Sequence, residues 1–227
     1  MKNLKTKIAI LAISFVSFLG IQTASALEGI TLGISANYSA FMGTGKETSS
    51  SGADTTTKKI TEEDGAFDTT VGAIFVEYAV GDAVSLGIER VMEDMQTPTN
   101  TNVQHTSATN QDPLTNTVKA DFKDHTTLYA NISMPFNTYL KLGYAMVDVA
   151  TGEALGTGGA YPDVDTTGYT IGLGYQHTAD NGMFIRAELS ASEYDNVSAT
   201  NTNEADKEVT VSDMYGATAA LKIGKTF

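Results

Sequence analysis

The sequence has 227 residues, with 14 Lys and Arg against 27 Asp and Glu, which gives a formal net charge of −13 at pH 7. A chain this acidic repels nucleic acid, so a nucleic-acid-binding protein is excluded. It contains no cysteine, which excludes stabilisation by disulfide bonds, and its 21 glycines without any tryptophan favour strands and turns.

The first 26 residues have the pattern of a secretory signal peptide. Three lysines lie among the first seven residues, residues 8–19 form an apolar run too short to span a bilayer as a helix, and Ala24-Ser25-Ala26 is a small-x-small cleavage site. We therefore predict cleavage after residue 26 and a single domain over residues 27–227. Without the leader lysines, the net charge becomes 11 − 27 = −16.

Eight stretches of the chain alternate apolar and polar residues with a period of two. This period predicts β-strands that have one apolar and one polar face. In chain order, the predicted strands cover residues 30–40, 71–80, 84–89, 127–134, 140–147, 169–176, 183–190 and 217–227.

The connections between the predicted strands alternate between short and long. Three are tight turns, around Gly81-Asp82, Pro135-Phe136-Asn137 and Asp180-Asn181-Gly182. The other four, at residues 43–65, 93–117, 151–166 and 195–208, are rich in Thr, Ser, Asn and Gly and hold 15 acids and four lysines. If the strands run up and down, all short turns lie at one rim and all long loops at the other.

The alternation fits two kinds of closed barrel. A soluble ligand-binding barrel has its apolar face inside, whereas a membrane barrel has it outside, against lipid. The polar faces carry three acids and three bases near mid-strand: Glu77, Glu89, Lys141, Arg186, Glu188 and Lys222. Balanced charges suit the inside of a barrel, where an unpaired charge is costly. We therefore predict an all-β, eight-stranded antiparallel up-and-down transmembrane β-barrel; a soluble barrel with these charges in water is the alternative.

Several features resemble the small outer-membrane β-barrel family of the OmpA and OmpX type: the leader, the eight strands, the segment VEYAVGDAVSLGIE and the alternating final strand that ends in Phe227. The resemblance implies a bacterial outer-membrane location, with short turns in the periplasm and long loops outside. It also implies that barrel-assembly machinery reads the last strand, for which the candidate residues are Tyr215, Leu221, Ile223 and Phe227. Lys225 departs from the pattern, because the family usually has an apolar or aromatic residue there.

The six charged residues of the polar faces are the candidate interior network. Small barrels of this family hold salt-bridge networks in the lumen, and the resemblance implies the same role for these residues. A static network would close the lumen, whereas a network that changes partners would open a narrow pore for ions. The sequence leaves both possibilities open.

We expect a structural or interaction protein of the cell envelope that presents acidic loops outside, where adhesion or phage contact occurs in similar proteins. One alternative is the narrow ion-conducting pore. The other is a lipid-modifying enzyme that uses His125 with Asp121, Asp124 or Thr126, although no nucleophile elbow is present. The expectation is therefore no catalysis and no cofactor.

The expected partners are outer-membrane lipids and lipopolysaccharide, besides the assembly machinery, and we expect a monomer. Arg90 is placed on the lipid-facing side near the loop rim, where it would reach a headgroup or lipid phosphate. The acid clusters at residues 62–64, 163–165 and 204–206 lack the spacing of an EF-hand loop and would at most bind divalent cations weakly. His105, His125 and His177 are too scattered to predict a zinc site.

Overall fold

The structure is a computed structural model that describes residues 28–51, 54–105, 113–155 and 159–227. Side chains are described in these ranges except at residues 50–59 and 102–114. The predicted signal peptide lies outside the described residues. Within the described ranges, no helix is long and apolar enough to cross a membrane.

The secondary structure of the described residues is β-sheet, with eight strands in the barrel wall and three short strands beside them. The wall strands are β1 (Ile30–Ser51), β2 (Asp54–Val80), β3 (Val84–Val91), β6 (Pro113–Met134), β7 (Thr138–Ala154), β8 (Val164–Thr178), β9 (Met183–Tyr194) and β11 (Glu208–Thr226). The short strands are β4 (Met95–Gln96), β5 (Asn100–His105) and β10 (Val197–Thr200).

The barrel closes where β1 pairs with β11. The order around the wall is β1, β2, β3, β6, β7, β8, β9 and β11, and every neighbouring pair is antiparallel. At the seam, the Phe227 N–H donates to the Ile30 carbonyl at 3.0 Å, and the Gly29 N–H donates to the Phe227 carbonyl at 2.9 Å. Closure pairs the backbone groups that an open edge would leave unsatisfied in hydrocarbon. The prediction of an eight-stranded antiparallel up-and-down barrel is confirmed.

Apolar side chains form a belt on the outside of the barrel. Leu86 and Leu173 are 53% and 59% exposed, whereas the inward-facing Lys141 is only 4% exposed. The belt also contains Val76, Tyr78, Ile88, Leu128, Leu142, Tyr144, Tyr169, Ile171, Ile185, Leu189, Leu221 and Ile223. An apolar exterior around buried charges fits a barrel that spans a membrane. The alternative of a soluble barrel with an apolar interior is wrong.

The wall strands extend well beyond the segments predicted from alternation. β1 and β2 stay paired up to Ser51 and Asp54, so most of the loop predicted at residues 43–65 is a β-hairpin. The predicted loops at 93–117 and 195–208 also contain strands, namely β4, β5 and β10. The prediction of irregular loops over these ranges is therefore wrong in extent. Outside lipid both faces of a strand are polar, so the period of two that marks a strand in the sequence is lost.

Around the charged groups, four of the inward-facing rings lie over glycines on neighbouring strands. The directly opposed pairs are Phe75 and Gly33, Tyr129 and Gly87, Tyr139 and Gly174, and Phe184 and Gly224. A Cβ atom added to Gly33 would lie 2.0 Å from the Phe75 Cζ atom. Each ring thus occupies the space that a side chain on the opposite residue would need, and the rings fill the lower lumen around the charged groups.

Candidate functional site

All six candidate network residues point into the lumen, where each is between 1% and 9% exposed. Glu77 comes from β2, Glu89 from β3, Lys141 from β7, Arg186 and Glu188 from β9, and Lys222 from β11. The alternation of each strand places them on the inner face, and closure of the barrel brings them together across the lumen.

Arg186 and Glu77 form one half of the network. The two guanidinium nitrogens of Arg186 donate to the two carboxylate oxygens of Glu77, with Nη2 2.7 Å from Oε2 and Nη1 2.5 Å from Oε1. The Tyr129 hydroxyl and the Asn131 amide also donate to Glu77 Oε1, at 2.8 and 3.0 Å. The Arg186 guanidinium lies 4.4 Å from the centre of the Phe184 ring. The contact between Arg186 and Glu77 is bidentate, which is the geometry in which an arginine–carboxylate pair is strongest.

Two acids and two lysines form the other half of the network. Lys222 Nζ lies 2.5 Å from Glu89 Oε2 and 3.1 Å from Glu188 Oε1. Lys141 Nζ lies 3.1 Å from Glu188 Oε1 and 3.5 Å from Glu89 Oε2. The Tyr139 hydroxyl donates to the second Glu188 oxygen at 2.6 Å. Each charge therefore has two partners of opposite sign, and the group lies across the lumen at mid-barrel.

A layer of rings crosses the lumen on the long-loop side of the network. We call Phe41, Phe67, Phe122, His125 and Tyr194 the aromatic cap. The ring centres of Phe41 and Phe67 are 5.1 Å apart, those of Phe67 and Phe122 are 5.6 Å apart, and those of Phe41 and Tyr194 are 6.4 Å apart. His125 Nε2 and the Tyr194 hydroxyl are hydrogen-bonded at 3.0 Å, so rings from β1, β2, β6 and β9 meet inside the barrel.

Sequence reasoning missed the cap. Phe41 and Phe67 lie just beyond the predicted strands, although they continue the inward-facing odd-numbered sets of β1 and β2. The odd numbers of these two residues were therefore the signal from which their inward orientation could have been predicted. For Phe122 no such signal exists, because the register of β6 shifts between Lys123 and Thr126. The odd-numbered residues of the predicted strand at 127–134 face inwards, whereas the even-numbered Phe122 faces inwards before the shift.

A cavity of about 50 Å³ lies between the network and the cap. Its lining includes the polar residues Asn37, Ser39, Thr127, Thr170, Ser190 and Thr218, together with Glu89, Lys141 and Glu188 from the network. We call this cavity the lumen chamber. A polar cavity of this size has room for several water molecules or a small ion.

The groups named for a lipid-modifying site lie on opposite faces of β6. His125 faces the lumen and contacts Tyr194, whereas Asp124 is exposed outside and pairs with Arg90. Asp121 pairs with Lys119 at 3.1 Å, and the Thr126 hydroxyl donates to the Asp124 carbonyl. His177 is exposed on β8 near a short turn, and the side chain of His105 lies outside those described.

The acidic clusters of the loops have hydrogen bonds and ion pairs of their own. Asp64 accepts the Thr44 hydroxyl at 2.8 Å, and Asp163 accepts the Thr151 N–H at 3.2 Å. Lys207 lies 3.5 Å from the Glu204 carboxylate and 3.7 Å from that of Glu47. Of these contacts, the one between Lys207 and Glu47 joins two different loops at the long-loop rim, and the others stabilise single loops.

The candidate assembly residues Tyr215, Leu221 and Ile223 face outwards on β11. Phe227 follows that strand and is half-buried. Lys225 also lies on the outer face, and its ammonium group is 4.8 Å from the centre of the Phe227 ring. This cation–π contact gives the lysine a partner near the short-turn rim.

No protein-family model matches the sequence, and no curated protein matches it. Among solved structures, the outer membrane protease OmpT of Escherichia coli is similar at 11% identity and a TM-score of 0.47, covering 91% of this chain and 99% of that one. Outer membrane protein AlkL has 12% identity, a TM-score of 0.43 and coverage of 91% and 94%. Neisserial surface protein A has 12% identity, a TM-score of 0.39 and coverage of 88% and 98%. At these values the similarities carry no argument about chemistry or partners.

The location of the chain follows from its own geometry. A closed barrel with an even number of antiparallel strands, an outward apolar belt, short turns at one rim and long connections at the other is the architecture of outer-membrane barrels. The chain is therefore a bacterial outer-membrane β-barrel.

Proposed function

We propose that this outer-membrane barrel is a structural and interaction protein that performs no covalent chemistry. The observation that carries the proposal is the length of the β1–β2 hairpin. β2 has 27 residues, whereas about 9–11 residues of a tilted strand cross a bilayer. More than half of the strand therefore stands outside the membrane as a sheet that is paired with β1 from Lys58 onwards and again at Asp54.

The charge of this outer sheet favours basic or cation-bridged partners. Glu62, Glu63, Asp64 and Asp68 are all exposed on β2. The four long connections predicted from the sequence together hold 15 acids and four lysines, or a charge of 4 − 15 = −11. Such a surface attracts basic segments and binds anionic lipopolysaccharide only through divalent cations. Among outer-membrane barrels we place the chain with the OmpA and OmpX type, as a monomer inserted by the barrel-assembly machinery.

A trimmed hairpin tests this proposal. Residues 46–62 are replaced by Asn-Gly, which joins the directly paired Gly45 and Glu63 through a two-residue turn. In a strain that lacks the native protein, we expect both full-length and trimmed forms to restore resistance to vancomycin and detergent, because the wall strands are intact. Adhesion of the cells to cultured epithelial cells should fall only with the trimmed form.

A variant with the charges removed but the hairpin retained is the matched control. Glu47→Gln with Asp54→Asn and Glu62→Gln neutralises the three acids that the trimming removes and keeps the sheet, and it should reduce adhesion to the level of the trimmed form. If the strain without the protein resists vancomycin and adheres as well as the parent strain, the proposed function is wrong.

A narrow pore is the second candidate, and the sharing of partners within the network favours it. Lys141 contacts both Glu89 and Glu188, so it can leave one acid without losing its last counter-charge. Conductance steps in planar bilayers that change with Lys141→Ala or Glu89→Ala would support conduction. A bilayer that is silent at all voltages would exclude it.

A further inference from the structure

We propose that the lumen chamber is a binding site for a small monovalent cation, reached from outside only when the aromatic cap opens. This inference goes beyond the proposed function. It also does not require an ion to pass the charged network, so it is independent of whether the barrel conducts.

The first argument is an unpaired oxygen at the chamber. Asn37 is only 4% exposed and lines the chamber. Its amide nitrogen donates to Glu89 Oε1 at 3.4 Å, but its Oδ1 atom has no hydrogen-bond partner among the described residues. A buried carbonyl oxygen without a donor calls for a water molecule or a cation. Amide, hydroxyl and carboxylate oxygens are also the ligands that hard cations prefer.

The second argument is the sign of the charge. Glu89, Glu188 and Lys141 line the chamber, whereas Lys222 contacts the two acids without reaching the lining. The two acids and two lysines of this half of the network therefore sum to zero, and the preference for a sign comes from the lining itself, which holds two carboxylates and one ammonium group. The hydroxyls of Thr127 and Ser190 add further oxygen atoms to the lining. This surface favours a cation over an anion.

The third argument is size. A chamber of about 50 Å³ is several times smaller than the cavities that hold organic ligands, which are roughly 300–1,000 Å³. It accommodates one small ion with part of its hydration shell. The ligand class is therefore a monovalent inorganic ion such as Na⁺, because the charges of the network already balance and a divalent ion would add twice the uncompensated buried charge.

The fourth argument is access. The charged network bounds the chamber on one side, and Phe41 and Tyr194 of the cap bound it on the long-loop side. The stacked rings of Phe41, Phe67 and Phe122 present no polar atom to an entering ion, and the polar ring atoms of His125 and Tyr194 are hydrogen-bonded to each other. An apolar constriction of this kind excludes ions by excluding water.

The absence of native cysteine allows a direct test with a single thiol. Ser190→Cys places the thiol at the chamber, and Ag⁺, a small monovalent cation, replaces its proton to form an S–Ag bond. The readout is the thiol that remains titratable after unfolding of the detergent-solubilised protein. We expect slow modification with the native cap and modification at least about tenfold faster with Phe67→Ala and Phe122→Ala, because the apolar barrier is removed.

Competition tests the site itself. In the open-cap background, sodium nitrate should slow the Ag⁺ reaction more than N-methylglucamine nitrate at equal ionic strength, because only Na⁺ fits the chamber. Asn37→Leu should abolish this difference. Ser198→Cys on the exposed β10 should react equally fast with and without the cap and show no difference between the two salts.

Two results would overturn the inference. One is a Ser190→Cys thiol that reacts as fast as Ser198→Cys with the native cap, which would mean that the cap is no barrier. The other is equal protection by the two salts, which would mean that no cation site exists. If the double cap variant fails to give the compact unboiled gel band, Phe67→Ala alone replaces it in the same comparison.

Discussion

Replacing Arg186 with Ala is expected to lower the free energy of unfolding by about 3–5 kcal/mol. The Glu77 carboxylate is 2% exposed and accepts hydrogen bonds from Nη1 and Nη2 of Arg186. Without Arg186, only the neutral donors of Tyr129 and Asn131 remain for this carboxylate. A buried negative charge that loses its counter-charge keeps its desolvation cost, because neutral donors offset only part of it. Urea titration in detergent micelles, read from the compact band of unboiled samples, measures the loss.

An exposed arginine of the same barrel is the matched control. Arg90 pairs with Asp124 on the outside, where both side chains are more than half exposed. Arg90→Ala should therefore cost no more than about 1 kcal/mol. Combining Arg186→Met with Glu77→Gln should recover most of the loss, because both charges are then removed. Equal destabilisation by Arg186→Ala and Arg90→Ala would contradict this account of the lumen.

Replacing Leu221 with Pro is expected to prevent the barrel from reaching its compact form. Every second residue of β11 has its N–H directed at β1 across the seam. The Phe227 N–H donates to the Ile30 carbonyl, so the Leu221 N–H, six residues earlier, also points at β1, where it lies opposite Ala36. Proline removes that donor and leaves a carbonyl unpaired within the apolar belt, where no water can bind it. Unboiled gels of outer-membrane fractions should lack the compact band.

Leu221→Ala separates the backbone effect from the side-chain effect. Alanine keeps the N–H and removes only an outward side chain that is 62% exposed. This variant should fold and insert like the native chain. A normal compact band from Leu221→Pro would show that the β1–β11 seam is not needed for closure.

The alternation was sufficient to predict which face of each wall strand is apolar. It works within the membrane because lipid requires apolar side chains on one face while the lumen accommodates polar ones. Lys141 and Arg186 could therefore be assigned to the polar faces from sequence alone. Their partners could not, because Arg186 and Glu77 are 109 residues apart and meet only through the stagger of the closed barrel.

Phe122 of the aromatic cap and the outer hairpin depend on features that a period of two does not carry. β6 carries an extra residue between Lys123 and Thr126, and β11 carries one between Ser212 and Tyr215, so the residues that face inwards change parity along these two strands. Above the belt, β1 and β2 are held together by their backbone pairing rather than by an apolar face. Composition alone therefore resembles that of a loop there.

The central claim is that the apolar face of each wall strand contacts lipid. Nitroxide labels on single cysteines at residues 169–175 of β8 test it most directly, since the chain has no cysteine of its own. In lipid bilayers, collision with oxygen, which concentrates in the acyl chains, should be frequent at residues 169, 171, 173 and 175 and infrequent at 170, 172 and 174. Frequent collision at residues 170, 172 and 174 with infrequent collision at the others, or equal collision frequencies at all seven residues, would contradict the account.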